Sequence, residues 1–146
     1  MPFAFIRGTA SADTLYGAAA RDWITGLAGN DSLWGDGAPV AVGGSDSATL
    51  VGAGDVLAGG TGDDTLFGDG SIVPELDTAG AAATLTGGDD ALTGAAGADV
   101  LWGDGTLSLG SASTSELAGG DDTLAGGDGG DLLWGDGSAG AAFATG

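Results

Sequence analysis

Carboxylates recur along this chain at a nine-residue spacing: Asp13, Asp22 and Asp31, then Asp55 and Asp64, Asp90 and Asp99, Asp122 and Asp131. A short, rigid carboxylate set in a glycine-rich turn offers the hard oxygen that calcium gathers, several at a time, from side chains and turn carbonyls. The competing reading is that each Asp only closes an Asx turn by accepting a backbone N–H. Charge favours calcium. Two basic residues, Arg7 and Arg21, face 21 acidic ones, for a net charge of -19. Carboxylates crowded into turns repel one another unless positive charge lies between them. The lack of His and Cys argues against zinc, copper and iron–sulfur sites and leaves the hard, oxygen-loving ions. Nucleic acid is excluded as a partner, since phosphate binding needs a basic surface and there is no Lys. The same lack of His, Cys and Lys argues that the chain is not an enzyme.

The elements that would position these carboxylates follow from the residues around them. Two places after each Asp stands an aliphatic: Leu15, Ile24, Leu33, Leu57, Leu66, Leu92, Leu101, Leu124 and Leu133. Each sits at the centre of a three-residue stub such as Thr65-Leu66-Phe67, which alternates out, in, out as a short strand must. Between stubs, uninterrupted turns such as Gly59 to Asp64 have Gly at the first and fourth positions, where the chain can take a positive φ. Turn, strand, turn, strand predicts an 18-residue coil with one stub on each of two facing sheets. No apolar run is long enough to span a membrane as a helix, and Met1 to Ile6 does not read as a cleaved leader.

A longer period lies over the short one. An aliphatic-aromatic-Gly-Asp-Gly pentapeptide occurs at 33–37, 66–70, 101–105 and 133–137, at spacings of 33, 35 and 32 residues. After each of the first three copies the turn is interrupted, by residues 38–52, 71–87 and 106–119, before its closing Gly-x-Asp arrives. The insertions of 15, 17 and 14 residues therefore leave the coil at one corner and stack as a ridge of loops. Their apolar residues Val40, Val42, Ile72, Val73, Leu76, Leu107 and Leu109 suit a small satellite core. The carboxylates divide accordingly into an uninterrupted ladder, Asp13, Asp31, Asp64, Asp99 and Asp131, and an interrupted one, Asp22, Asp55, Asp90 and Asp122. Adjacent rungs would share an ion. Arg21 beside Asp22 could replace an ion with a fixed charge in the first, degenerate turns. For Asp36, Asp69, Asp104 and Asp136 of Gly-Asp-Gly, three roles stand open: calcium ligation, capping of the loop through backbone N–H groups, or exposure to water.

The phased glycine-aspartate nonapeptide resembles the calcium-binding repeat of the RTX (repeats-in-toxin) family, from about Ile6 to Gly137. The resemblance implies an all-β parallel roll with several Ca2+ ions per chain held between turns. It also implies export from a bacterium by one-step (type I) secretion and folding outside the cell. The whole chain, 1–146, is then one β-roll domain, with units near 4–37, 38–70, 71–105 and 106–137 and an open tail over 138–146.

Tyr16, Trp34, Phe67, Trp102 and Trp134 follow the inward aliphatic on one sheet and should stack as an outer strip. Such a strip could bind glycan rings or another protein, or lie under the loops; the apolar loops that begin three residues beyond each ring favour covering. Ile6 continues the lattice backwards and Gly135-Asp136-Gly137 opens a turn at the other end. A second copy placed head to tail would keep both sheets in phase, and such a contact need not close. The expected protein is a secreted, calcium-binding structural protein that stacks into an extracellular or cell-surface fibre. Rival expectations are a calcium-dependent adhesin binding cell-surface polysaccharide through the strip, and the secretion and folding module of a larger exoprotein.

Overall fold

The computed structural model describes residues 4–42, 47–74, 82–109, 114–136 and 138–141. The described elements are all strands, and every named strand pair is parallel. One five-stranded sheet carries β1 (Ala4–Arg7), β3 (Asp22–Ala28), β7 (Val56–Thr61), β11 (Ala91–Ala96) and β15 (Thr123–Asp128), side by side in that order. Facing it is a sheet of β2 (Thr14–Tyr16), β4 (Ser32–Trp34), β8 (Thr65–Phe67), β12 (Val100–Trp102) and β16 (Leu132–Trp134). Register follows the lattice: Ile24 lies beside Leu57, and Leu33 beside Leu66. Ile24, Leu33, Leu57, Leu66, Leu92 and Leu101 fill the space between these sheets, flanked by Ile6, Leu15 and Leu124. Alternation puts one side of each stub inward, and burial of an aliphatic side chain stabilises by about 1.5 to 3 kcal/mol. Leu133, on the last rung, is the exception at 43% exposed, because no further rung covers it among the described residues.

The inserted segments stack at one corner, but as strands and not as loops. β5 (Val40–Val42), β9 (Ser71–Pro74), β13 (Thr106–Leu109) and β17 (Ser138–Ala141) make a third sheet, and β6 (Ser47–Val51), β10 (Ala82–Thr86) and β14 (Thr114–Ala118) a fourth. Part of the stretch 138–146 that was expected to be an open tail is thus a strand, paired with β13. Between these two sheets lies a second core of Ile72, Ala83, Leu85 and Leu107, with Ala48, Leu50 and Leu117 against it. The satellite core therefore exists, with a different membership from the expected one. Ile72 and Leu107 belong to it, whereas Val40 and Val73 point outward; Leu76 and the side chains of Val42 and Leu109 lie outside the described residues. Each full rung runs through both sandwiches, crossing at Gly-Asp-Gly and returning at the turn that closes on Asp55, Asp90 or Asp122.

Left-handed backbone falls at the second and fourth turn positions, not the first and fourth. Gly29, Gly62, Gly97 and Gly129 have positive φ as expected, and so do Leu27, Gly60, Ala95 and Gly127 one residue after the first-position Gly.

Candidate metal centres

Each turn carboxylate reaches backwards by one rung. On the uninterrupted edge the N–H groups of Asp13, Asp31 and Asp64 donate to Oδ1 of Asp31, Asp64 and Asp99, each at 2.8 Å, and Asp99 N–H donates to Asp131 Oδ1 at 3.0 Å. On the interrupted edge the N–H groups of Asp22, Asp55 and Asp90 donate to Oδ1 of Asp55, Asp90 and Asp122 at 2.6, 2.6 and 2.9 Å. Oδ1 thus does what the Asx reading asks, although the donor is on a neighbouring rung and not in the same turn.

The second oxygen is what that reading leaves unexplained. Oδ2 of Asp31, Asp55, Asp64, Asp90, Asp99 and Asp122 is buried with no hydrogen-bond partner. The degenerate first rung differs: Asp13 Oδ2 accepts from Thr9 N–H at 2.5 Å and Asp22 Oδ2 from Ala18 N–H at 2.8 Å. A carboxylate oxygen shut away from water and protein donors is costly to keep ionised. The position of these oxygens also explains the first-position glycines. At Gly26, Gly94, Gly35, Gly68 and Gly103, the place a Cβ would occupy is flanked by the turn's own Asp Oδ2 and by a glycine carbonyl oxygen of the next rung. A carboxylate and a turn carbonyl from successive rungs converging on one point are the donors calcium takes. Gly35, Gly68 and Gly103 make this arrangement with Asp55, Asp90 and Asp122 across the insertions, so the interrupted turns close in space as the simple ones close in sequence.

The first three Gly-Asp-Gly carboxylates accept backbone N–H bonds at the neck of each insertion. Asp36 Oδ2 accepts from Ala53 N–H (2.6 Å), Asp69 from Gly88 N–H (3.3 Å) and Asp104 Oδ1 from Gly120 N–H (3.0 Å). All three are buried; Asp136, on the last rung, is exposed. Asp36 and Asp69 are neighbours that interact electrostatically, and Asp36 Oδ1 has no hydrogen-bond partner. Among the described residues no three acidic side chains converge to hold an ion by themselves, so carbonyl oxygens must complete any shell.

Burial is the leading cause of the electrostatic strain. It pushes the Asp64 and Asp122 carboxyls up to about 6, Asp55 to about 7, Asp90 to about 8 and Asp69 to about 9, and raises Asp36 and Asp99 as well. Backbone N–H donors oppose the shift, and neighbouring carboxylates add to it. Arg21 acts on Asp55, one rung beyond the Asp22 it adjoins in sequence, and lowers it.

Four segments, residues 6–38, 51–71, 84–105 and 118–139, match the model of the RTX calcium-binding nonapeptide repeat, and together they cover more than half the chain. The chain belongs to the RTX calcium-binding repeat family. No curated protein and no solved structure shows significant similarity to it. The gaps between the RTX segments, 39–50, 72–83 and 106–117, take in most of β5, β6, β9, β13 and β14 and the start of β10, so much of the second sandwich lies outside the family's repeat. RTX nonapeptides bind calcium, and the unpartnered Oδ2 atoms fit that ion: hard, anionic and paired with carbonyls.

The aromatic strip forms as a continuous stack. Ring centroids from Tyr16 through Trp34, Phe67 and Trp102 to Trp134 stand 5.1, 5.2, 6.1 and 4.1 Å apart, all stacked. The inserted segments do not bury it, because their apolar side chains are used in their own sandwich. Trp34, Phe67 and Trp102 are half-buried, and Tyr16 and Trp134 are exposed. Two features escaped the sequence reading. Trp23 meets Phe5 edge-on at 6.2 Å on the opposite outer face. Fifth-position side chains also stitch rungs together, with Asn30 Oδ1 accepting from Asp63 N–H (3.1 Å) and Asp63 Oδ1 from Ala98 N–H (2.9 Å). The 33-residue step from Asn30 to Asp63 was the available signal.

Proposed function

We propose that this chain is a secreted structural protein whose double roll folds on calcium and stacks head to tail into a surface or extracellular fibre. The observation that carries the calcium-driven part is the file of buried, unpartnered Asp Oδ2 atoms in a chain with only two basic residues. When bound, calcium supplies the positive charge these oxygens lack. The chain's own residues fix the oxygens through the rung-to-rung N–H ladder and hold water out with the two aliphatic cores. Repeats of this family occur in secreted bacterial proteins, and no helix among the described residues is long and apolar enough to cross a membrane. Repeats of this kind are structural, and no catalytic role is proposed.

Stacking is supported by the two end faces. The last described rung leaves Leu132, Leu133 and Trp134 exposed, and Tyr16 and Phe5 are exposed on the first. A second copy would lay its β2, three residues long like β16, beside the last rung, and such a contact is heterologous and repeats. Far-ultraviolet circular dichroism at neutral pH tests the folding step: β signal gained on adding calcium and lost on chelation supports it, and a spectrum indifferent to both overturns it. Electron microscopy in millimolar calcium tests stacking, with dispersed single rolls at high concentration as the contrary result. The half-exposed stacked strip supports a second reading, a calcium-dependent polysaccharide-binding surface. Retention on immobilised glycans, lost in Trp34→Ala and Trp102→Ala, would favour it over the fibre.

A further inference from the structure

The two turns of the first rung, Gly8 to Asp13 and Gly17 to Asp22, lie within a matched repeat segment but differ from the later turns in internal chemistry. Asp13 Oδ2 accepts from Thr9 N–H (2.5 Å) and from the Thr9 hydroxyl (2.9 Å), and Thr9 Oγ1 accepts in turn from Ser11 N–H (3.2 Å). Asp22 is buried with both oxygens engaged, Oδ1 by Ala4 N–H (3.0 Å) and Oδ2 by Ala18 N–H (2.8 Å). A carboxylate held by such charge-assisted bonds keeps its charge with no ion beside it. The difference begins in the backbone. On the uninterrupted edge the second turn position is left-handed at Leu27, Gly60, Ala95 and Gly127, and the fourth at Gly29, Gly62, Gly97 and Gly129. Thr9 and Ser11, at the same positions of the first turn, are not left-handed, and there the second-position N–H closes on the turn's own carboxylate. Oδ2 accordingly stands farther from the place of a first-position Cβ at Gly8 and Gly17 than at the first-position glycines of the later rungs.

The first rung is also tied to the second by side chains alone. Ile6 and Leu15 pack against the first core. Phe5 meets Trp23 on one outer face and Tyr16 stacks on Trp34 on the other, whereas the later rungs carry aromatic pairs on the second of these faces only. Both basic residues stand here, Arg7 in β1 and Arg21 in the turn that closes on Asp22. We infer that the first rung holds no ion, that its turns are closed by their own N–H donors, and that it keeps its order at calcium levels too low for the rest, so that the roll orders outward from it toward β15 and β16. In a stack where each rung contacts only its neighbours, an ordered first rung offers the second a template. Placing calcium in the first turn would mean surrendering the Thr9 N–H bond and turning a β-branched residue left-handed. Leu27 and Ala95 hold the opposite arrangement. Left-handed φ on a residue with a Cβ is strain of the kind that persists at working sites, and in these turns Oδ2 of Asp31 and Asp99 is left without a partner.

This inference rests on the calcium reading, and one set of measurements on the full chain separates the two. Bound calcium is counted by equilibrium dialysis with elemental analysis, and hydrogen exchange is followed by mass spectrometry across a calcium titration. Asp13→Asn and Asp22→Asn should leave the ion count of the parent unchanged, whereas Asp64→Asn should lower it. At calcium levels that leave β11, β12 and β15 unprotected, amides of β1 and β2 should still exchange at least tenfold more slowly than in an unfolded chain. Thr9→Gly combined with Ser11→Gly gives the first turn the glycines of the later ones. That variant should bind one more ion than the parent, and protection of its β1 and β2 should come to depend on calcium. Ions lost with Asp13→Asn or Asp22→Asn, no ion gained by the glycine variant, or protection of β1 and β2 that appears only together with that of β7 and β8 each overturns the metal-free rung while leaving the calcium reading in place. If Asp22→Asn does not fold, the glycine variant, which keeps both carboxylates, decides. A parent chain that binds no calcium overturns the calcium reading and this inference with it.

Discussion

The two edges of the first sandwich are built from the same turn and have become chemically different. On the uninterrupted edge a six-residue turn with two left-handed positions brings one carboxylate per rung to a glycine carbonyl. On the neck edge the same glycine and the same Asp meet, but they are separated in sequence by a two-stranded excursion, and a second carboxylate enters with it. Both edges keep the backbone ladder from Asp N–H to Oδ1. Where the second sandwich covers the neck most fully, Asp55, Asp90 and Asp69 reach about 7, 8 and 9, whereas Asp122 towards the last rung reaches about 6, as Asp64 does on the open edge. A repeat can therefore accept a long insertion without losing its site, provided the insertion returns to the same glycine, and it gains electrostatic demand in doing so.

The broadest way to break this comparison is to remove calcium and vary pH. A carboxyl whose folded pKa stands above its unfolded value of 3.8 binds its proton more tightly when folded, so stability is greatest in acid and falls as pH rises through the folded pKa. Chelated protein should hold most β structure near pH 4 and lose it as Asp64 and Asp122 ionise near 6, then Asp55, Asp90 and finally Asp69 near 9. Carboxyl carbon NMR against pH checks the order, and Asp55, Asp90 and Asp69 titrating together with Asp64 would erase the difference between the edges.

A smaller effect sharpens the comparison between the sandwiches. Leu66→Ala in the first core and Leu85→Ala in the second should each cost about 2 to 5 kcal/mol in chemical denaturation. Calcium-saturated Leu85→Ala should open the second sandwich in hydrogen exchange before the first, and simultaneous opening would mean that the neck does not divide the molecule. Next in size, Gly68→Ala and Gly59→Ala place a methyl group against Asp90 Oδ2 and Asp64 Oδ2 respectively, and both should weaken calcium binding in a direct titration. Gly68→Ala should weaken it more, because its methyl also meets the Gly103 carbonyl.

The smallest effect is a gain. Leu27 and Ala95 hold φ of 90° at the second turn position, where Gly60 and Gly127 stand in the other rungs. Left-handed backbone strains a residue with a Cβ, so Leu27→Gly and Ala95→Gly should raise stability by about 1 kcal/mol in denaturant melts. A loss would mean that the positive φ carries no strain on the open edge.

Much of this architecture was legible because one short period carried it. Leu33 and Leu66 are buried because each centres a three-residue strand with only one inward position, and Ile24 and Leu57 hold the same lattice position near the start of the longer strands that face them. The carboxylate ladders were legible on the same lattice. The second sandwich was not, because its strands sit in segments of unequal length whose inner residues include small Ala48 and Ala83. Leu50, Leu85 and Leu117 do recur at 35 and 32 residues, in step with Asp55, Asp90 and Asp122, and that signal was hidden by reading the insertions as loops. The left-handed Leu27 and Ala95 were not legible either: an L residue gives no sign of adopting a conformation it disfavours, and only comparison with Gly60 and Gly127 exposes it.

The central claim is that the buried Oδ2 atoms on both edges are balanced by calcium, and a crystal structure of the calcium-loaded chain with anomalous scattering tests it most directly. Anomalous peaks are expected beside Asp31, Asp64 and Asp99 on the open edge and beside Asp55 and Asp90 on the interrupted edge. Turns that close around the same carboxylates with no anomalous peak on either edge would contradict it.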